Sequence, residues 1–236
     1  MKDFYYVGDT ETTGYDPADG ERLIEICFIE LDAQRQRTGR EFHEFVDPEK
    51  EVPLGAFNVH GVSREQAIYL GGGQKFKDIA KKLAEFIAGG VLVTHNVAFD
   101  RKFLDAEFKT SMGQDLDDIV KNTFCTLEFA RAKHPGQRNS LDALVKRYGI
   151  VAQNRELHGA KLDSDILIDV YLALTLEQKT LKFSENVKAQ DTTKLAEYFP
   201  KIVELPVFES RIEEDEGHVK MMAKIDKSSG GENLWR

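Results

Sequence analysis

Along the first half of the chain, short apolar runs alternate with longer segments whose apolar residues recur at helical spacing. The run Phe4-Tyr5-Tyr6-Val7 has the length and aromatic character of a buried strand. Residues 22–31 (RLIEICFIEL) alternate well enough for a second strand, and residues 41–46 (EFHEFV) for a third. The short links between them imply an antiparallel meander, because parallel neighbours need a long crossover. From Lys75 to Ala88, the positions Phe76, Ile79, Ala80, Leu83, Phe86 and Ile87 share one helical face. Gly89-Gly90 ends that helix, and Val91-Leu92-Val93 then reads as a short buried strand.

A helix from about Ala98 follows, with Phe99, Phe103 and Leu104 turned inward. Residues 123–127 read as a last strand, and residues 128–133, 140–148 and 161–174 as helices, the middle one capped by Ser140 or Asn139. Gly71-Gly72-Gly73 reads as a surface turn, and the stretch FNVHGVS around His60 as a loop. Past Leu174 sustained periodicity stops. Residues 175–236 carry a charge cluster, RIEEDE at 211–216, and come near their end to Ser228-Ser229-Gly230-Gly231. The expected organisation is a folded domain over 1–175 and a tethered, partly disordered tail over 176–236.

With 236 residues and 41% hydrophobic content, the chain can bury one substantial core plus an appendage. No stretch is long and apolar enough to span a bilayer, and the charged start MKDFYY lacks the apolar core of a signal peptide. Cys27 and Cys125 sit in apolar contexts without metal-binding spacing, which suits reduced core residues. A cytoplasmic protein with no membrane association is expected. The net charge of −9 argues against a free-standing nucleic-acid binder, which normally carries a basic face. It leaves room for a nucleic-acid enzyme whose site supplies positive charge through metal ions and which depends on a partner for delivery.

Five residues carry candidate chemistry: Asp9 and Glu11 in VGDTETTG, Asp100 in THNVAFD, and His158 with Asp163 in HGAKLD. Residues two apart on a strand project to one face, so Asp9 and Glu11 lie side by side. Adjacent carboxylates repel unless protonated or bridged, and a hard divalent cation is the natural bridge. Taken singly, each acid has a bland reading: a solvated strand end, a helix-dipole charge at Asp100, a first-turn acid at Asp163, an ordinary loop histidine at His158. It is the ordered set that points to metal-assisted chemistry.

The segments DTETTG, VHG, HNVAFD, NTFC, PGQRNSLDAL and LHGAKLDSDILIDVYLA resemble the DEDDh 3′–5′ exonucleases and, among them, the epsilon proofreading subunits of bacterial DNA polymerase III. The likeness runs from about Phe4 to Thr175, with parts of the tail also matching. It implies an α/β, ribonuclease-H-like fold: a mixed central sheet, antiparallel in its first three strands and then parallel, flanked by helices. It implies two divalent metal ions, Mg²⁺ or Mn²⁺, one held by Asp9, Glu11 and Asp163 and the other by Asp9 with Asp100. His158 would be the general base, and the product a nucleoside 5′-monophosphate released from a single-stranded or frayed 3′ end of DNA. Thr10, Thr12, Thr13, His60 and Asn96 are candidate substrate contacts. Turn formation at the threonines, a structural loop role at His60 and site orientation at His95 and Asn96 stand as the alternatives. Tyr6 and Gly8 are small departures from the family's usual first strand.

In the tail, Gln178, Leu181 and Phe183 resemble the peptide that docks replication proteins on the bacterial sliding clamp (beta): two apolar anchors and a glutamine at the pocket rim. Leu234 and Trp235, the latter the only tryptophan, resemble the segment with which epsilon subunits attach to the polymerase III alpha subunit. Residues 194–208 offer apolar positions for a partner-bound helix, and a small accessory subunit is left open. Competing readings are a DEDDh RNA-trimming exonuclease of the RNase T or oligoribonuclease kind, a non-catalytic polymerase-stabilising subunit, and a clamp-binding adaptor.

Overall fold

Strand β1 (Tyr5–Thr12) pairs antiparallel with β2 (Leu23–Leu31), which pairs antiparallel with β3 (Arg37–Phe45). On its other side β1 pairs in parallel with β4 (Val91–Thr94), and β4 in parallel with β5 (Asn122–Cys125). The five-stranded sheet therefore has the order β3-β2-β1-β4-β5, the mixed arrangement expected. The computed structural model describes residues 4–151 and 158–176. Gln178, Leu181, Phe183, Leu234 and Trp235, and with them the tail readings, lie outside the described residues.

The sheet is covered on both faces. On one, Tyr6, Ile26, Phe28 and Leu92 pack against Phe76, Ile79 and Leu83 of α3 (Phe76–Ile87) and Phe103, Leu104 and Phe108 of α4 (Val97–Met112). On the other, Val7, Cys27, Ile29 and Val93 meet Ala160, Leu167, Ile168 and Tyr171 of α7 (Ala160–Thr175). Helix α7 also buries Ile166, Val170 and Leu174 against Ala130 of α5 (Thr126–Lys133) and Leu144 of α6 (Leu141–Tyr148). Two buried faces explain why α7 is so apolar in sequence. Ser140 is the cap of α6, its hydroxyl accepting the Ala143 amide at 3.3 Å.

Three local expectations change. All nine residues of β2 are buried, including the polar half of its alternation, because helices cover both sides of the sheet; Glu30 is answered by Arg40 at 2.7 Å and Thr38 at 2.8 Å. Strand β3 starts at Arg37 rather than near Glu41, since its first five residues are exposed at the sheet edge and carry no apolar signal. A short helix, α1 (Leu54–His60), takes the first four residues of the FNVHGVS stretch read as loop, and a second, α2 (Arg64–Leu70), follows where no element was expected. Helix α1 follows Pro53 without a side-chain cap and exposes Leu54, Phe57 and Val59, so neither a cap nor an amphipathic face announces it. Both cysteines are free, and burial pushes the Cys27 thiol up to about 12. Among the described residues, no helix is long and apolar enough to cross a membrane.

Candidate active site

Strand β1 serves both faces of the sheet. Its alternation places Val7, Asp9 and Glu11 toward α7, and Tyr6 and Thr10 toward α3 and α4. Gly8 sits between them because only a glycine fits there: a Cβ would lie 2.1 Å from the Cys27 carbonyl oxygen and 2.2 Å from the Phe28 ring. That close approach seats the strand end carrying the acids against β2. Asp163, in the first turn of α7, brings its carboxylate to the α7 face, and ligand oxygens of Asp9, Glu11 and Asp163 all lie within 4.8 Å of one another. Asp100 arrives from the first turn of α4, where the Thr10 hydroxyl donates to its Oδ1 at 2.8 Å. The four acids thus meet at the carboxyl ends of β1 and β4, where the sheet changes from antiparallel to parallel pairing, the usual ligand position in an open α/β sheet.

The electrostatics fit a cation. Burial and then the neighbouring Asp100 and Glu11 charges push Asp9 well above the usual carboxylate range. Burial pushes Asp100 up to about 6, against the lowering effect of the Thr10 hydroxyl. Acids crowded together at such cost, with Glu11, Asp100 and Asp163 buried and Asp9 partly so, suit a hard divalent ion, with oxygen ligands and no thiolate among them.

His158 lies at the rim, its side chain 45% exposed, with Nδ1 2.8 Å from Asp163 Oδ2 and its amide donating to the Val59 carbonyl at 2.9 Å. A carboxylate at Nδ1 favours the tautomer with the proton there, which leaves the basic lone pair on Nε2. His95 is of another kind. Burial pushes its pKa down to about 4, and Nδ1 lies 3.0 Å from the Thr126 hydroxyl, so it links the end of β4 to the start of α5 as a neutral ring. Asn96 is exposed at the N-cap of α4, and its carbonyl accepts the Phe99 amide at 2.8 Å.

A cleft of about 390 Å³ opens beside the acids, lined by Thr10, Glu11, Thr12, Thr13, His60 and Phe99 among others. The threonine hydroxyls are already engaged: Thr10 with Asp100, Thr12 with the Gly14 carbonyl at 2.6 Å, and Thr13 with Glu21 at 2.5 Å. What they can offer a ligand is chiefly backbone. His60 ends α1, 5% exposed; its Nδ1 accepts the Val62 amide at 3.2 Å, and burial lowers its pKa. Phe99 packs against the core as expected, its ring centroid 5.2 Å from that of Phe103, and its uncovered part lines this cleft; Tyr15, 85% exposed, lines it too. Helical spacing marked Phe99 as inward but carried no sign that the same ring would also wall a cleft. Glu25, buried on β2 within the same acidic neighbourhood, carried no signal beyond being a charge in an apolar run.

The exonuclease family model RNase_T matches residues 7–171, a span that contains all five candidate catalytic residues. The DNA polymerase III subunit epsilon of Escherichia coli strain K12 is 38% identical over 240 residues, covering 97% of this chain and 95% of that protein. This chain belongs to the DNA polymerase III epsilon-subunit family. The epsilon protein of Rickettsia prowazekii is 42% identical over 168 residues, 71% of this chain and 72% of its own length. With 97% coverage, the likeness to the Escherichia coli epsilon protein necessarily takes in most of the tail. Among solved structures, Escherichia coli exonuclease I in complex with a dT13 oligonucleotide superposes with a TM-score of 0.65 at 19% identity, over 75% of this epsilon-family chain and 42% of exonuclease I. That likeness establishes the exonuclease, ribonuclease-H-like fold, and this chain spans about two fifths of the exonuclease I length.

Proposed function

We infer that this chain is the 3′–5′ proofreading exonuclease subunit of a bacterial replicative DNA polymerase, removing mispaired 3′-terminal nucleotides as 5′-monophosphates. The observation that carries the reading is the convergence of Asp9, Glu11 and Asp163 within 4.8 Å, beside buried Asp100, in a chain of the epsilon family. Asp9, Glu11 and Asp163 would hold one divalent cation, and Asp9 with Asp100 a second; Mg²⁺ or Mn²⁺ suits an all-oxygen donor set. When bound, such ions supply Lewis acidity to the phosphodiester and lower the pKa of the attacking water.

The rest is the work of this chain's side chains and backbone. His158 takes the water's proton at Nε2, with Asp163 at Nδ1 holding the ring and stabilising the imidazolium that forms. Thr10 holds Asp100 in place from β1. The backbone of residues 10–13, His60 and the Phe99 ring line a cleft of a size suited to one small ligand, here the 3′-terminal nucleotide. An acidic chain with so small a footprint binds DNA weakly, so delivery falls to its partners. Leu234 and Trp235 would anchor it to the polymerase III alpha subunit, and Gln178, Leu181 and Phe183 to the sliding clamp. Tethering raises the effective concentration at the primer end without a basic surface.

The test is a 5′-labelled DNA primer with a mismatched 3′ end, incubated with the full chain in Mg²⁺ or in EDTA beside an RNA strand of the same sequence. Metal-dependent shortening of DNA from its 3′ end is expected, with RNA cut far less. Asp9→Ala should slow cleavage by on the order of 10²–10³ or more with the fold retained. Near-wild-type cleavage by that variant would remove the metal-site assignment. Faster trimming of RNA would transfer the chain to the RNA-processing branch, and cleavage of neither strand would leave a scaffold.

A further inference from the structure

Helix α7 carries Asp163 and follows directly on His158, yet its N-cap, Gly159, has no side chain with which to receive the first amides. The acceptor comes from the sheet instead. Glu25 Oε2 lies 3.0 Å from the Ala160 amide nitrogen, across 135 residues of sequence. Glu25 Oε1 lies 2.7 Å from His43 Nε2 on β3, so both carboxylate oxygens are engaged although the residue is only 4% exposed. Glu25 pairs with Glu11 across the β1–β2 ladder, and its charge reaches Asp9. It is not one of the three acids whose ligand atoms cluster.

Ala160 lies two residues after His158 and three before Asp163. A second tie from α7 to the same strand is the Ser164 hydroxyl, 3.2 Å from the Cys27 carbonyl. The first turn of the helix is thus hung on β2, the strand registered against the one that carries Asp9 and Glu11. We propose that Glu25 is a positioning residue for the reaction: as a cap supplied from the sheet, it sets where His158 and Asp163 stand relative to Asp9 and Glu11. The proposal rests on the exonuclease reading above, and it assigns Glu25 a task set by reach and acceptor geometry, not by charge.

Two conservative variants separate those. Glu25→Gln keeps the length and an oxygen for the Ala160 amide, and its amide group can donate to His43. Glu25→Asp keeps the charge but is one methylene short. With the full-length protein, Mg²⁺ and a single-stranded DNA substrate, Glu25→Gln should keep kcat within about threefold, while Glu25→Asp should lose about 10- to 100-fold in kcat with little change in KM, since displacements of about 1 Å cost on that order. Amide exchange at Ala160, read by NMR without metal or substrate, should stay slow in the wild type and Glu25→Gln and quicken about tenfold or more in Glu25→Asp. A Glu25→Asp protein faster than Glu25→Gln would overturn the proposal in favour of a charge role. So would wild-type kcat in both variants, or unchanged Ala160 exchange in Glu25→Asp. An inactive wild type would sink the exonuclease reading instead, and the Ala160 exchange would still decide whether Glu25 is the cap.

Discussion

Replacing Asp100 with asparagine should make the metal-free protein more stable while impairing its chemistry. Asp100 is 2% exposed, and burial lifts its pKa from 3.8 to about 6. The difference of about two units corresponds to on the order of 3 kcal/mol of extra cost for ionising this carboxyl in the folded state. A carboxyl whose folded pKa is raised contributes stability that is fully present below the unfolded value near 4 and lost as pH rises through about 6. The wild type carries the whole cost at pH 8. Asparagine carries no charge and still offers Oδ1 to the Thr10 hydroxyl, so the main favourable contact survives. Removing the charge also relieves Asp9, which Asp100 pushes upward.

Thermal unfolding in EDTA should therefore show Asp100→Asn more stable than wild type by about 2–3 kcal/mol at pH 8, or about 4–12 °C in Tm for a domain of this size. The advantage should shrink to about 1 kcal/mol at pH 4.5, where the folded wild type is already protonated at this site. Mg²⁺ should raise the Tm of the wild type more than that of the variant, because the ion answers a charge the variant lacks. A variant no more stable than wild type at pH 8, or an advantage that does not change with pH, would refute the picture of a buried acid awaiting a cation.

His158→Gln should lower kcat by on the order of 10²–10⁴, the range for loss of a general base, and move stability by no more than about 0.5 kcal/mol because the side chain is 45% exposed; stopped-flow cleavage and thermal melts on one preparation check both. A chain ending at residue 176 should cut single-stranded DNA at the full-length rate but fail to co-purify with the polymerase alpha subunit, and retained association would place that contact outside the tail.

Local physics made much of this protein legible from its sequence. Strand alternation placed Asp9 and Glu11 on one face of β1, and that is how they stand, because the side-chain period of a strand is set by its backbone. Helical spacing located α3, and capping chemistry located α6, for equally local reasons. The resemblance of its motifs to the epsilon family supplied the mixed sheet that the structure has. Other features depended on neighbours distant in sequence. That Phe99, packed on the core, would also wall a cleft depended on what stood opposite it, and α1 had neither a cap nor an apolar stripe to announce it. The Thr10 hydroxyl, 90 residues from Asp100, and the Glu25 carboxylate, 135 residues from Ala160, found their tasks only when helices crossed the sheet. Periodicity records which side of an element is buried; it carries no distance between elements, and the meeting of β1, α4 and α7 that assembles the acids is a matter of distance. That meeting is what tertiary packing alone decided.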